Sequence, residues 1–118
     1  MTLYINTTDK EKIKLALIAQ GREVAVKEFL APRAQSEKLL PEIDRLLKKN
    51  KLSLKHIKKI RVADEGGSFT SLRIGVLTAN ALAYSLGIPI ETESGQKPKR
   101  KAGLMVAAPR YDREPNIG

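Results

Sequence analysis

The chain has 118 residues, a formal net charge of +9 and no cysteine. This length fits one domain, and the lack of cysteine excludes disulfides, thiolate metal sites and a cysteine nucleophile. With a single histidine, His56, a zinc site would have to depend on carboxylates, which argues against one. No apolar run approaches the ~20 residues that span a bilayer, and the first residues do not resemble a signal peptide, so we expect a cytoplasmic protein.

The positive charge is concentrated in two segments. Eight cations and no acid lie between Arg45 and Arg61, and residues 97–101 add four more cations. Clustered positive charge is typical of surfaces that bind an anionic partner such as RNA, but a solvated basic face explains it equally well. If the segment binds RNA, we expect weak contacts to phosphate that include Lys55, Lys58 and Lys59.

The first 30 residues predict three antiparallel strands. Residues 2–7 are short and β-rich, and residues 13–20 and 22–30 alternate apolar and other side chains around the turn signal Gln20-Gly21. A helix then follows, with Ser36 as a plausible N-cap and Asn50 at its end. Because Pro41 cannot donate a backbone hydrogen bond, either the helix begins near it or the first turn is bent there.

The second half predicts a strand, a helix and another strand. Residues 57–63 are β-rich and end at Asp64, residues 65–68 form a turn, and residues 69–86 form an apolar helix that Gly87 ends. Residues 88–91 would add a short parallel strand. The stretch 93–101 is polar, basic and contains Gly and Pro, which is typical of a linker.

The order β-β-β-α-β-α-β predicts an α/β fold, with a mixed five-stranded sheet and two main helices. The ribonuclease H-like fold, which is half of an actin-like ATPase, has this order. We expect a domain over residues 1–92, a basic linker over 93–102, and a C-terminal segment, 103–118, that packs back on the domain.

The turn before the second helix has two interpretations. Glycines and the free N–H groups of a helix N-terminus attract anions, so Gly66, Gly67, Ser68 and Arg73 are candidate contacts to phosphate or RNA. A simple capped turn explains the same residue types, and we favour it. The sequence lacks the Gly-Lys-Ser/Thr that would make it a P-loop.

The second helix is apolar on more than one face, which is typical of a buried helix. Ser71, Gly75 and Ala79 recur every four residues and would let another backbone approach closely. The close neighbour is either part of this chain or another protein.

The acidic residues allow an alternative interpretation, as the site of a nuclease. A ribonuclease H-type nuclease needs acids on the first strand, the first helix and the fourth strand. Asp64 and Glu37 meet two of these positions, but Asn6 occupies the first, and a neutral amide cannot replace the charge that holds Mg²⁺. We therefore expect no catalytic residue and no metal site, and keep a nuclease or resolvase as an alternative function.

Several segments resemble the TsaB (YeaZ) family. Residues 36–47, SEKLLPEIDRLL, resemble its "HSE-x-LLP-x-ID-x-LL" helix, and residues 67–75, GSFTSLRIG, resemble its "GPGSFTGLRIG" signature. Residues 79–89 are similar to its "AKGLALALGIP" stretch, and Tyr4 to Thr8 stand where it has "AIDTS". Residues 109–113 resemble a "P-x-Y-x-R" segment near its C-terminus. The sequence departs from the family at Asn6, an aspartate there, at Glu65-Gly66, which replace Gly-Pro, and at Ser71, which replaces a glycine.

The resemblance implies a non-catalytic scaffold in threonylcarbamoyl modification of a tRNA adenosine. It implies binding to a TsaD-type catalytic subunit and assembly with a TsaE-type ATPase, with self-association as a homodimer through the same helices and no cofactor. A stand-alone basic RNA-binding protein is a further alternative. The chain is about half the usual family length, so we expect a shortened form that lacks the second lobe. The partner interface that the resemblance implies consists of Leu39, Leu40, Ile43, Leu47, Leu72, Gly75, Val76, Ala79 and Leu82.

Overall fold

A mixed five-stranded sheet forms the centre of the molecule. The computed structural model describes residues 1–31, 35–67, 69–101 and 104–108. The strand order is β3-β2-β1-β4-β5, with β2 antiparallel to both β1 and β3, and with β1, β4 and β5 parallel. The strands are β1 (Thr2–Asn6), β2 (Lys12–Ala19), β3 (Arg22–Leu30), β4 (Lys59–Val62) and β5 (Ile90–Thr92).

The β2–β3 hairpin has the turn that its sequence predicts. Gln20 and Gly21 have φ angles of 53° and 75°, so both central residues are left-handed. Two such residues match the right-handed twist of the flanking strands, which is why this turn type joins tight hairpins. The hairpin places β3 at one edge of the sheet.

Two helices, α1 (Gln35–Lys49) and α2 (Phe69–Leu86), pack on one face of the sheet. Their inward side chains and the strand residues facing them form one apolar core, whose largest fully buried members are Leu3, Ile5, Ile13, Leu15, Leu17, Leu39, Ile43, Leu47, Ile57, Ile60, Leu72 and Val62. The predicted α/β fold with a mixed five-stranded sheet and two main helices is confirmed. Among the described residues, no helix is both long and apolar enough to cross a membrane.

The start of α1 differs from the prediction. The helix begins at Gln35, so Ser36 lies inside its first turn and is not the N-cap, and Pro41 lies in the helix interior. Glu37, whose carbonyl would accept from residue 41, is exposed, as is Pro41. Water can therefore satisfy that carbonyl, which lets the helix continue through the proline.

The segment predicted as a linker is tied to the domain instead. The Ser94 amide and hydroxyl donate to Asp64, at 2.9 and 2.6 Å, and the Thr92 hydroxyl donates to the Gln96 carbonyl. Residues Lys99–Lys101 then form strand β6, which pairs with β7 (Leu104–Val106). Composition predicts a linker because Gly, Pro and Lys dominate, but the buried Asp64 carboxylate gives the chain a partner there. The side chain of Asn80, a residue of α2, donates to the carbonyl of Ala107 and accepts from its amide. Residues 109–118 lie outside the described part of the chain.

One carboxylate joins α1 to the sheet. Glu42 of α1 is 7% exposed and forms ion pairs with Lys27 of β3 and with Arg45 one turn along the helix. The hydrogen bond from Lys27 is the largest cause that lowers the pKa of Glu42, and Arg45 adds to it against the effect of burial. A lowered pKa means that the folded state favours the charged form, so this carboxylate stabilises the fold above its unfolded pKa.

We therefore expect Glu42→Gln to destabilise the protein at neutral pH, by about 1 kcal/mol for a partly shielded pair. The difference between the two proteins should shrink as the pH falls below about 4, because both then carry a neutral side chain. Urea unfolding at a series of pH values measures this. Asp44→Asn, which removes an exposed i, i+4 pair with Lys48, is the control and should change stability little. A constant difference between Glu42→Gln and the wild type from pH 7 to pH 3 would contradict the role given to the charge.

Candidate partner interface

Most of the residues predicted to bind a partner lie inside this chain's own core. Seven of the nine, all except Leu40 and Leu82, are buried, and Leu82 is partly buried. The reason is geometric: an apolar helix in a small domain presents its most regular apolar stripe to the sheet. The seven are Leu39, Ile43, Leu47, Leu72, Gly75, Val76 and Ala79. Their side chains are already packed within the chain, so they are not exposed to a partner.

A second apolar stripe on α2 faces outward. Leu77 is 61% exposed and Tyr84 is 68% exposed, and Ala81 between them is exposed too. Next to the stripe, Leu40 of α1 is 53% exposed. A shallow, largely apolar groove of about 370 Å³ lies between the two helices, and its lining, which does not include Tyr84, consists of Leu40, Leu77, Thr78, Ala81, Leu82 and Ser85.

The predicted interface does not include this outer stripe, although the sequence contains a signal for it. Successive helix positions turn by ~100°, so a residue two positions from an inward one points to nearly the opposite side. Once Gly75 and Ala79 face inward, Leu77 and Ala81 must face outward. An apolar helix gives no way to choose which stripe is buried until the strand contacts are known.

The small residues of α2 make room for the end of β1. The Thr7 hydroxyl accepts a hydrogen bond from the Gly75 amide at 3.1 Å and donates one to the Ser71 carbonyl. These two groups would otherwise pair with each other as an i, i+4 helix bond. A Cβ on Gly75 would lie within 3.0 Å of the Thr7 hydroxyl oxygen, so only glycine allows this approach. The close neighbour that Ser71, Gly75 and Ala79 predict is thus, at Gly75, part of this chain.

The glycine turn before α2 also serves the fold. Gly66 and Gly67 have φ angles of 90° and 66°, a region that favours glycine. A Cβ on Gly67 would collide with the Thr8 carbonyl, so the turn lies directly against the chain that leaves β1. Ser68 lies outside the described residues. The tight-turn interpretation has physical support, and an anion contact at Gly66, Gly67 and the exposed Arg73 stays a prediction.

The predicted anion contacts do not form one site. Gly66 and Gly67 follow the C-terminal end of β4, whereas Lys55 and Lys58 precede its N-terminal end and Lys59 begins it. The two groups therefore lie at opposite ends of β4, separated by the length of the strand, which is ~13 Å for four residues. The direction of β4 therefore separates the glycine turn from the three lysines.

Asp64 and Glu37, the two acids of the alternative nuclease site, are hydrogen-bonded within the fold or exposed to water, respectively. Asp64 is fully buried and accepts both hydrogen bonds from Ser94, and Glu37 is exposed on α1. Asn6 accepts from the amide and hydroxyl of Thr8, at 2.9 and 2.8 Å. Within the described residues, no three His, Asp or Glu side chains lie close enough to share a metal ion.

Known proteins resemble this chain in sequence. The family model described as "TsaD: tRNA N6-adenosine threonylcarbamoyltransferase" matches residues 27–92. The tRNA threonylcarbamoyladenosine biosynthesis protein TsaB of Haemophilus influenzae is 31% identical over 90 residues, which is 76% of this chain and 38% of that protein. The protein of the same name from Bacillus subtilis is 32% identical over 94 residues, which is 80% of this chain and 41% of that protein.

The chain belongs to the TsaB (YeaZ) family. Its fold agrees with that assignment: YeaZ from Pseudomonas aeruginosa superimposes with a TM-score of 0.70 at 21% identity, over 91% of this chain and 64% of that one. A structure described as a protein with similarity to peptidase YeaZ from the same organism gives the same TM-score over 63% of its length. The ribonuclease H-like, actin-like fold class is thereby confirmed. The chain spans about two fifths of the length of the two curated relatives.

In this TsaB-family chain, the contact between Thr7 and Gly75 can be tested by a double-mutant cycle. Gly75→Ala should destabilise the fold by about 2 kcal/mol, because the new methyl group overlaps the Thr7 side chain. In Thr7→Ala the hydroxyl and methyl are gone, so the added effect of Gly75→Ala should be smaller by at least about 1 kcal/mol. Chemical denaturation of the four proteins gives the coupling. Additive effects would mean that Gly75 is small for another reason, such as contact with a partner.

Proposed function

We propose that this chain is a non-catalytic binding partner in threonylcarbamoyl modification of tRNA, and that it docks the outward stripe of α2 on a TsaD-type catalytic subunit. The observation that carries the proposal is the apolar stripe of Leu77, Ala81 and Tyr84 beside Leu40, on a helix whose other face is already buried. Contiguous exposed apolar side chains on a small domain mark a surface that another molecule covers.

The choice of partner rests on the family. The two curated relatives are named for biosynthesis of threonylcarbamoyladenosine in tRNA, and the TsaD family model matches the part of the chain that contains both helices. A TsaD-type subunit that shares this sequence pattern would carry an equivalent helix pair. Two similar helix pairs can pack across a pseudo-twofold axis, each filling the groove of the other.

The same geometry supports self-association in the absence of the partner. A twofold interface brings the same surface of two copies together, so the stripe around Leu77 would face its own equivalent. Because Leu40 and Leu82 flank the groove, a second α2 can lie between them. We expect the partner and the second copy to compete, since both would cover this one face.

Non-catalytic function is part of the proposal, and the buried polar groups at the ends of β1 and β4 support it. Asp64 is engaged by Ser94, and Asn6 by Thr8 and by the Tyr4 hydroxyl at 3.1 Å. Residues held in this way would have to give up strong hydrogen bonds before they could act on a substrate.

The decisive variant is Leu77→Glu. An exposed Leu77 can change to glutamate without loss of folding, but a charge buried in the interface costs several kcal/mol, which predicts at least about 100-fold weaker binding. Light scattering on mixtures of the chain and the TsaD-type subunit from the same organism measures the complex. Unchanged binding by a folded Leu77→Glu protein would exclude this face.

Two controls separate binding from folding. Val26→Glu introduces the same charge at a residue of β3 that is 48% exposed, and should leave the complex intact. Val76→Glu, one position from Leu77 but 1% exposed, should instead unfold the protein, because the charge would enter the core. If Val26→Glu abolished the complex while Leu77→Glu did not, the interface would lie at the sheet edge.

A further inference from the structure

Strands β1, β4 and β5 all begin at one end of the molecule. Three of the segments that form this end contain no acidic residue. These are the β2–β3 turn (Gln20 and Gly21), residues 48–58 from the end of α1 to the residue before β4, and residues 87–89 between α2 and β5. They lie together because Thr2 of β1 pairs with both Ile18 and Lys59 in the sheet, and because the Ile60 amide donates to Pro89. We call this end the basic pole. Its cations are Lys48, Lys49, Lys51, Lys55 and Lys58.

Within the described residues, an ion pair compensates only one of the five cations of this pole, Lys48. Of the eight cations between Arg45 and Arg61, four are paired with a carboxylate: Arg45 with Glu42, Lys48 with Asp44, and both Lys59 and Arg61 with Glu91. The other four are exposed and have no ion pair within the described residues; they are Lys49, Lys51, Lys55 and Lys58. All four lie on the basic pole.

The backbone holds these lysines in fixed places. The Leu52 amide donates to Leu47 at 2.9 Å, and the Ile57 amide donates to Leu54 at 3.0 Å. The Lys58 amide donates to Met1 at 2.9 Å, and the Ile57 side chain is 2% exposed in the core. The segment is therefore anchored between its charges, which fixes the backbone positions from which the lysine side chains extend.

Lys51 occupies a backbone position that favours glycine. Both helices end with the same pair of hydrogen bonds, from residues 51 and 52 to residues 48 and 47 in α1, and from residues 87 and 88 to residues 84 and 83 in α2. The left-handed residue in this motif is usually glycine, as at Gly87 with φ 65°, but it is Lys51 in α1 with φ 59°. A side chain is disfavoured there, so Lys51 occupies this position against the local backbone preference. The negative end of the α1 dipole favours cations, but it does not reach Lys55 and Lys58.

From this arrangement we infer that the basic pole binds the phosphate backbone of a structured RNA; the choice of RNA among polyanions rests on the proposed function. Lysine ammonium groups are point charges that contact phosphate without reading bases. The one ring in the segment, His56, accepts from the Ser53 amide through Nδ1 and offers no stacking platform with a second ring. Binding is therefore sequence-tolerant and sensitive to salt. Four phosphates predict a slope of log affinity against log salt of about −3 to −4.

The test measures fluorescence anisotropy of a labelled tRNA transcript with the chain alone. Lys55→Glu/Lys58→Glu should weaken binding by at least about tenfold at low salt and reduce the slope by about 2. The matched control is Lys10→Glu/Lys12→Glu, which changes the net charge equally at two exposed residues, one before β2 and one at its start, at the opposite end of the strands. It should shift affinity less than about threefold. Equal losses in both variants, no loss in the first, or no RNA binding by the wild type would each overturn the inference.

Lys51→Gly adds a readout in which stability and binding move in opposite directions. Removing the side chain relieves the left-handed backbone, so the melting temperature should rise by about 4 °C or more, while RNA affinity falls about threefold. Higher stability with unchanged RNA affinity would remove Lys51 from the site. Tighter lysine-dependent binding to vesicles with anionic headgroups than to the transcript would reassign the pole to membranes and overturn the RNA inference. Because the partner assay depends on Leu77 and this one does not, failure of the RNA inference and failure of the proposed function are distinguishable.

Discussion

The contact between Thr7 and helix α2 sets the orientation of the helix on the sheet. The Thr7 hydroxyl lies between the Ser71 carbonyl and the Gly75 amide, so the end of β1 is inserted into the side of the helix. Since a helix has a fixed rotation per residue, fixing Gly75 against the strand also fixes which side chains point away. Leu77 and Tyr84 are exposed for this reason, and the proposed partner face is a consequence of a contact buried beneath it.

The strand directions divide the surface further. Because β1, β4 and β5 are parallel, the connections that leave these strands lie at one end of the sheet, and the connections that enter them lie at the other end. The glycine turn and Asp64 lie at the C-terminal end of β4. The lysines that have no ion pair within the described residues lie at its N-terminal end, and the outward stripe of α2 lies between the two ends. A partner on the stripe would leave the lysine end of the sheet uncovered, so the two proposed contacts do not compete for one surface.

Local patterns predicted the elements well, because each depends on a few neighbouring residues. Gln20-Gly21 specifies its own turn, and Gly87 ends α2 where the sequence indicates. What could not be predicted depends on residues far apart in the chain. Ser94 looks like part of a linker until Asp64, 30 residues earlier, accepts its hydrogen bonds. Likewise, α2 is apolar on several sides, and only its contact with Thr7 shows that Gly75 and Val76 are buried while Leu77 is not.

Position 6 would hold an acid in a metal-dependent nuclease, but here the hydrogen bonds around it fit the amide side chain of Asn6. The Asn6 nitrogen donates to the Tyr4 hydroxyl, which in turn donates to Glu93 at 2.6 Å. Burial, followed by the contact with Glu93, raises the pKa of Tyr4, so the phenol stays a hydrogen-bond donor. An aspartate at position 6 would lose the donor to Tyr4 and place a second negative charge near Glu93, with the like-charge repulsion that this entails. The neutral Asn6 therefore completes a network that an acidic residue would disrupt, which is the physical reason to regard this end of the sheet as structural and to seek the function on the outer face of α2.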